Sequence, residues 1–262
     1  MQRLAARQRR VLGDRAPWHT GDIAWGLWQH AGREHEWEIR TWGEDAWSWL
    51  RLDSGLLDYD VAEERLELLD EVLAEPRARK ACAFEDDGER LAALARHGFT
   101  QPSKSTLSFN VLELTEEPQP PALPDGFSYR TVGEDDVAER VAVHRDVWAP
   151  SRVSEESFAD VQRAWPYRAS LDCVVVAPDG RFAAYAHLWP EDETGVGELE
   201  PVGVREEFRR RGLGQAVCTF AMRRWWDEGG RRVVVYNETE IAGALYRSLG
   251  FRRHGVLREY AR

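Results

Sequence analysis

The stretch Leu199 to Gly214, LEPVGVREEFRRRGLG, decides the fold of the second half of the chain. Its start, Leu199 to Val204, has the composition of a β-strand, and an amphipathic helical pattern follows Gly214. Between them, Arg209 to Gly214 forms a basic, glycine-rich turn. Glycine lets the main chain approach a ligand closely, and the first N–H groups of a helix have no partner within it. The stretch therefore predicts a cradle for a pyrophosphate.

Two other phosphate-binding motifs fit this stretch less well. A P-loop ends in Gly-Lys-Ser or Gly-Lys-Thr, and the chain has no such ending. The dinucleotide-binding fingerprint has a third glycine three residues after the second, where this chain has Val217. The pattern that remains is R-x-x-G-x-G.

The residues that follow the glycine turn predict a helix, a strand and a second helix. The apolar face of the first helix consists of Leu213, Val217, Phe220, Ala221 and Trp225. Gly229-Gly230 ends that helix, and Arg231 to Tyr236 is a short strand rich in β-branched residues. Ile241, Leu245 and Leu249 share one face of the second helix, which closes with Tyr246-Arg247-Ser248-Leu249-Gly250-Phe251.

The order of these motifs resembles that of the GNAT acetyltransferases, which bind acetyl-CoA. The likeness rests on R-x-x-G-x-G, on the closing Tyr-x-x-x-Gly-Phe, and on the elements between them. Glu198 to Val204 is similar to the family's fourth strand, which splays from its neighbour to admit the pantetheine arm. The resemblance covers the C-terminal half of the chain.

The resemblance implies which residues hold the coenzyme. Backbone N–H groups of the turn are the main contacts, and its arginines add one or two phosphate contacts. The predicted cofactor residues are Val202, Gly203, Val204, Arg209, Arg210, Arg211, Gly212, Leu213, Gly214 and Asn237. Asn237 has a second interpretation, because its distance from Tyr246 exceeds the usual gap: it caps the next helix.

The family's reaction, direct attack of an amine on the thioester, implies a general acid and a general base. Tyr246 matches the family's tyrosine and is the predicted acid; the alternative is a core aromatic. Glu198 and Glu200 share one face of a strand and are the candidate bases. We prefer Glu200, which lies nearer the cofactor strand, and the alternative is a pair of solvated carboxylates.

A proline-rich stretch, residues 115–124, divides the chain, because four prolines in ten residues suit neither helix nor sheet. We expect a basic segment over 1–19, one domain over 20–114 and the catalytic domain over 125–262. The first domain shows a degenerate repeat: Leu94 to Phe99 echoes Leu245 to Phe251, with Leu94 in place of Tyr246 and without R-x-x-G-x-G. It should therefore neither bind acetyl-CoA nor catalyse.

The expected fold is α/β (α+β): tandem GNAT-like domains with a mixed, mostly antiparallel sheet and helices on both faces. One degenerate and one active copy resemble the layout of the mycothiol synthase family. Heavy tryptophan usage, twelve residues, predicts core packing and some lining of an acceptor pocket between the domains.

Composition excludes several classes of function. A net charge of −11 argues against nucleic acid as a partner, and no apolar run is long enough for a membrane span. Three scattered cysteines predict reduced thiols in a cytoplasmic protein and no metal site. His144 and His187 have no partners at metal spacing, and the basic N-terminus predicts a solvated helix or a frayed end.

The predicted function is acetyl transfer from acetyl-CoA to a primary amine of a small molecule. One alternative is a peptide N-terminus as acceptor, and another is an acyl-CoA-binding sensor or partner-binding module without turnover. A homodimer is compatible with this interpretation.

Overall fold

A computed structural model describes residues 1–30 and 32–262. Its helices are α1 Gln2–Leu12, α2 Thr20–Trp28, α3 Leu69–Leu73, α4 Gly88–Arg96, α5 Val137–Val147, α6 Glu155–Arg163, α7 Leu213–Asp227 and α8 Glu240–Ser248. Its strands are β1 Trp37–Trp42, β2 Ala46–Arg51, β3 Leu56–Val61, β4 Lys80–Phe84, β5 Gln101–Glu113, β6 Ser128–Thr131, β7 Asp172–Val176, β8 Phe182–Glu191, β9 Val196–Val204, β10 Arg232–Asn237 and β11 Arg252–Ala261. Strand β9, helix α7, strand β10 and helix α8 follow the order expected from the sequence around the glycine turn.

The strands form one sheet in the order β1-β2-β3-β4-β11-β5-β10-β9-β8-β7-β6. Neighbouring strands are antiparallel except for two pairs, β3 with β4 and β9 with β10, which are parallel. Each parallel pair sits inside one half of the chain. The sheet is therefore mixed and mostly antiparallel, as predicted.

The two halves exchange their last strands. β5, the end of the first half, lies between β10 and β11 of the second half. β11 in turn pairs with β4 of the first half. The proline-rich stretch divides the chain in sequence, whereas the sheet joins both halves through these two strands.

Helices cover both faces of the sheet in the second half. Alternate residues of β7 pack on opposite sides: Cys173 and Val175 belong to the core under α7, and Val174 to the core that includes Val143 of α5. Successive side chains of a strand point to opposite faces, so α5 and α7 lie on opposite faces. This arrangement confirms the predicted fold class.

The N-terminal segment is packed, which corrects the expectation of a solvated or frayed end. Leu4 and Ala5 of α1 join Ile23 and two tryptophans of β2 in one core cluster. The buried Gln8 side chain donates a hydrogen bond to the Val61 carbonyl oxygen (2.9 Å). Arg3 and Arg10 are exposed on the other face of this amphipathic helix, whereas Arg9 is buried and donates a hydrogen bond to the Trp18 carbonyl oxygen (3.0 Å). The sequence could not show what the apolar face would meet.

The first half ends its last helix as the second half does. Gly98 (φ +82°) follows α4 and Gly250 (φ +92°) follows α8, both in the left-handed region that glycine tolerates. Phe99 and Phe251 are then buried, and their N–H groups donate to Leu94 and Tyr246 respectively. The echo seen in the sequence is thus a repeat of local structure.

Candidate active site

The glycine turn that is the predicted phosphate cradle lies directly before α7. Gly212 precedes α7 with φ +76°, and a Cβ placed there would meet no atom within 4 Å. The amides of Leu213 and Gly214 open a fifteen-residue helix whose N-terminal end carries partial positive charge. Arg209, Arg210 and Arg211 are exposed around this turn. The residues present fit a bound diphosphate, because the main chain is accessible and cations surround it.

The strands beside the cradle separate as the pantetheine arm would require. β9 pairs with β10 only at Val196 to Glu198. Gly214, at the start of α7, packs against Val204 of β9 and Leu245 of α8. The helix therefore begins beside the gap between the two strands.

Val202 and Gly203 of β9 face opposite sides of the sheet. The Val202 side of β9 lines the cavity that opens at the gap. Gly203 faces the other way, since a Cβ there would come within 2.7 Å of Val147 of α5. Its missing side chain thus serves the close packing of α5 on the sheet.

One cavity of about 490 Å³ lies between the two halves of the chain, a size typical of small-molecule sites. Both separating strand pairs line it: Leu57, Asp58, Tyr59, Cys82 and Ala83 from the first half, and Leu199, Glu200, Val202, Tyr236 and Asn237 from the second. Trp18 and Trp148 also line it, as the tryptophan usage suggested. Both halves therefore shape one space.

Tyr246 reaches this cavity from α8. Its ring packs edge-on against Phe251, with ring centroids 5.7 Å apart, and the residue is only 6% exposed. Burial raises the pKa of the phenol well above its usual value. Tyr246 therefore carries its proton at neutral pH and can donate it.

Glu198 and Glu200 occupy different environments on the same face of β9. Glu200 is half-buried and lines the cavity, whereas the Glu198 side chain is completely buried and does not. Burial and then the neighbouring Asp22 carboxylate raise the pKa of Glu200. Burial and then the charge of Glu200 raise the pKa of Glu198. Of the two candidates, Glu200 is the one that faces the space where an amine would bind.

Asp22 is a site residue that sequence reasoning missed. It lies on α2, lines the cavity, and has a carboxylate oxygen within 4.8 Å of oxygens of both Glu198 and Glu200. The available signal was His19-x-x-Asp22, a capping box at the start of an apolar helical run. That signal predicts a helix start but cannot show which strand the helix meets.

The cluster of Asp22, Glu198 and Glu200 bears on the expectation of no metal site. Among residues 1–30 and 32–262 it is the one set of potential ligands close enough to hold a cation together. Carboxylates in this arrangement can equally share protons, so the expectation stays a prediction. His144 and His187 are buried among aromatic side chains and are not members of this set.

Asn237 ends β10 and lines the cavity, and it does not cap the following helix. The cap of α8 is Thr239, whose hydroxyl accepts from the Ala242 N–H (3.2 Å). The Asn237 side chain donates to the Thr239 carbonyl and accepts from Asn110 of β5. A cofactor contact from Asn237 stays a prediction.

Across the described part of the chain, the helices are all too short or too polar to span a bilayer.

The part of the chain that contains this site is similar to a known family. The description "Acetyltransferase (GNAT) family" matches residues 140–251, which include the glycine turn, Glu200 and Tyr246. The mycothiol acetyltransferase of Amycolatopsis mediterranei is 33% identical over 159 residues, covering 54% of this chain and 52% of that protein. That of Tsukamurella paurometabola is 30% identical over 182 residues, covering 62% and 60%. The chain thus spans about half to three fifths of these relatives' length.

Solved structures share the fold over the whole chain. A tandem GNAT protein from the clavulanic acid biosynthesis pathway superposes with a TM-score of 0.69, 14% identity and coverage of 100% of this chain and 93% of that one. A GCN5-related N-acetyltransferase from Sphaerobacter thermophilus gives a TM-score of 0.65, 17% identity and coverage of 100% and 90%. At these identities the likeness concerns the fold alone. The chain therefore has the fold of tandem GNAT proteins, and its residues 140–251 match the GNAT acetyltransferase family.

Proposed function

We propose that this chain transfers an acetyl group from acetyl-CoA to a primary amine of a small molecule, by direct attack in a ternary complex. One observation carries the proposal: Glu200 of β9 and Tyr246 of α8 line the same cavity at the point where β9 and β10 separate. A proton acceptor and a proton donor thus face one space beside the predicted phosphate cradle. The family match over residues 140–251 supports acetyl transfer as the reaction.

Acetyl-CoA, when bound, supplies a thioester carbonyl as electrophile and a sulfur leaving group. The amides of Arg211, Gly212, Leu213 and Gly214 hold its diphosphate, and the exposed arginines of the turn add positive charge. The gap between β9 and β10 directs the acyl end towards the cavity. Val202 and Asn237, which line the cavity at this gap, are the proposed side-chain contacts.

Glu200 takes a proton from the acceptor's ammonium group, directly or through water, and so produces the neutral amine that attacks. Its raised pKa suits a base that works near neutral pH. Tyr246 gives its proton to the departing sulfur. Glu198 lies behind Glu200, away from the cavity, and is not the base.

The acceptor is proposed to be a small cationic molecule with apolar parts. Several carboxylates line the cavity, namely Asp22, Asp58, Asp87, Glu200 and Glu238, against one cation, Arg90. Aromatic and aliphatic side chains form most of the remaining wall. A space of this size between two packed halves suits a small molecule better than a peptide chain.

The first domain, residues 20–114, is proposed to form a wall of the acceptor site and to have no acetyl-CoA site of its own. The segment between β3 and β4 has a short 3₁₀ helix, Glu63–Leu68, with a break at Arg65 (φ −134°), followed by the five-residue α3. Such a short helix offers no counterpart to the N-terminus of α7. The catalytic domain is then residues 125–262.

The test is to mix the protein with acetyl-CoA and a library of primary amines and to measure free CoA and acetylated products. The proposal expects CoA release that depends on a small amine. Tight acetyl-CoA binding with no release for any amine would favour a sensor. Acetylation of peptide N-termini in preference to small amines would favour the peptide alternative.

A further inference from the structure

The proposed base, Glu200, is one of three carboxyl groups that lie close together, and another of them, Asp22, comes from α2. Oxygens of Asp22, Glu198 and Glu200 all lie within 4.8 Å of one another. Carboxylates this close, and largely withdrawn from water, cannot all be ionised at neutral pH. Protons must therefore be held within the cluster.

The position of Asp22 is fixed by its local structure and by the sheet. The His19 backbone N–H donates to Asp22 Oδ2 (2.8 Å), and the Gly21 N–H donates to His19 Nδ1 (3.0 Å). Gly21 lies against Trp189, so closely that a Cβ would come within 2.3 Å of that ring. The Trp189 indole N–H in turn donates to the Glu200 carbonyl oxygen (2.7 Å). Trp189 thus contacts both the residue beside Asp22 and the backbone of Glu200, and it fixes the position of the one relative to the other.

The hydrogen bonds around His19 indicate where one proton lies. Burial lowers the pKa of His19, so its ring is neutral and its contact with Glu198 is not an ion pair. Its Nδ1 accepts from Gly21, which leaves the ring proton on Nε2, facing the Val196 carbonyl oxygen (3.3 Å). No described donor reaches either oxygen of the buried Glu198 side chain. Glu198 is therefore protonated, because a buried carboxyl without a donor favours its neutral form and burial raises its pKa to about 8.

We propose that Asp22 is a positioning residue for the proton transfer at Glu200: the two carboxyl groups, whose oxygens lie within 4.8 Å of each other, share one proton between them. The inference rests on the proposed function, in which Glu200 accepts a proton from the acceptor. The proton acceptor is then a pair of carboxyl groups, one from α2 and one from β9. Glu198 holds its own proton behind the pair.

The proton balance is as follows. Before reaction the Asp22/Glu200 pair holds one proton and one negative charge, and it takes a second proton from the acceptor's ammonium group. The neutral amine forms a bond to the thioester carbonyl carbon, and the carbon–sulfur bond breaks. The nitrogen loses its second proton as sulfur gains one through Tyr246. The pair then releases its extra proton to solvent, so one proton is released per acetyl group transferred.

Other charged and titratable groups surround the pair on several elements. They are Arg9 of α1, His19 before α2, Glu191 of β8, Glu198 of β9, Tyr236 of β10 and Tyr246 of α8. The tyrosines and His19 are neutral at pH 7 because burial raises the pKa of each tyrosine and lowers that of His19. Arg9 and Glu191 have opposite charges. Asp22 is therefore the group nearest to Glu200 whose charge can change near neutral pH.

The first experiment is the pH profile of kcat/KM in the Asp22→Asn protein. An amide carries no charge and releases no proton, so the acid-limb inflection should move down by about one pH unit or more. Asp22→Glu keeps an ionisable group and should restore part of the difference. A fall in rate with an unmoved inflection would reduce Asp22 to a structural residue and overturn the proposal.

The second experiment does not depend on turnover. A carboxyl whose pKa is raised by folding holds a proton that the unfolded chain releases, so stability falls as pH rises from the unfolded pKa through the folded one. Thermal unfolding of wild type between pH 5 and pH 9 (about the range expected for such groups) should show this loss, and Asp22→Asn should show less of it. Equal slopes would overturn the sharing of a proton.

A matched control is Asp60→Asn. Asp60 is also completely buried, and burial raises its pKa to about 7, yet it lies outside the cluster and the cavity lining. Its replacement should also weaken the stability slope, whereas the kcat/KM inflection should stay in place. If the inflection moved in Asp60→Asn, a buried carboxyl outside the cluster would also change the titration of Glu200, and the specific role of Asp22 would be overturned.

The two proposals fail in different ways. If wild type acetylates no amine, the proposed function fails, while the stability slope still reports on the carboxyl pair. Should a folded Asp22→Asn protein not be obtained, ¹³C NMR of the wild-type carboxyl carbons replaces it: a shared proton makes Asp22 and Glu200 titrate together. Independent titration, or a rise in Tm with Mg²⁺, Ca²⁺, Mn²⁺ or Zn²⁺ that Asp22→Glu retains, would overturn proton sharing.

Discussion

The first and second halves of the molecule share a framework and differ in a few positions that matter for chemistry. Each half has one parallel strand pair that separates beyond a short ladder, β3 with β4 and β9 with β10. Each then has a helix closed by a left-handed glycine and a buried phenylalanine. The shared features are those that close helices and fill the core.

The differences fall where an acid, a base and a phosphate site would be. Two residues beyond the last ladder pair, the first half has Tyr59 and the second has Glu200. Five residues before the buried phenylalanine, the first half has Leu94 and the second has Tyr246. The comparison teaches that packing alone preserves the fold, while the proposed activity depends on a few side chains and one turn.

The largest expected effect is on acetyl-CoA affinity, and measuring it tests whether only the second half of the chain binds acetyl-CoA. Gly212→Glu should weaken binding by about 100-fold or more, since it forces a side chain into a left-handed position and places a negative charge in the cradle. Titration calorimetry measures it. Gly212→Asn, which tolerates this backbone conformation without charge, is the control and should lose much less. One site per chain remaining in Gly212→Glu would assign a cofactor site to the first half.

Tyr246→Phe should lower kcat by about 10²-fold or more, because the ring stays and the proton donor is lost. Acetyl-CoA affinity should be unchanged, and steady-state kinetics with calorimetry measure the two quantities. The first-half counterpart, Leu94→Met, replaces a buried leucine by a residue of similar volume and should leave kcat unaltered. Full turnover in Tyr246→Phe would remove the phenol from the mechanism.

Glu200→Gln should lower kcat/KM at neutral pH by about 10²-fold and abolish the acid limb of its pH profile. A base must be deprotonated, so wild-type activity should rise with pH, and the raised pKa of Glu200 places that rise above the range of an ordinary carboxyl. Glu198→Gln, away from the cavity, should lose less. If the acid limb persisted at the same pH in Glu200→Gln, another group would be the base.

The smallest expected effect tests what the halves have in common. Gly98→Ala and Gly250→Ala should each lower the free energy of unfolding by about 1–2 kcal/mol, the cost of a left-handed alanine. Neither Cβ would come closer than 3.4 Å to a neighbour, so backbone strain dominates at both sites. Urea unfolding measures it, with Gly88→Ala in α4 as a control without positive φ. Clearly unequal losses would mean that the two helix ends are not equivalent.

Much of the second half was predictable because its signals are local. The glycine turn, the helical periodicity after it and the Gly-Phe closure each act within a few residues, and the structure has all three. The break at Arg65 inside the 3₁₀ helix before α3 has no such local signal. Asn237 had a second interpretation as the N-terminal cap of α8. The hydroxyl oxygen of Thr239 fills that position instead, because it accepts from the Ala242 N–H.

The sequence by itself predicted the fold class, through its resemblance to a known family, and the glycine turn before α7, because the motifs that carry them depend on short-range spacing and backbone preference. It also supplied Glu198, Glu200 and Tyr246 as candidate catalytic residues. Only the tertiary structure decided the exchange of β5 and β11, the single cavity between the halves and the approach of Asp22 to Glu200. These depend on contacts between residues far apart in the chain. Such contacts are selected by the packing of whole faces, which no local pattern records.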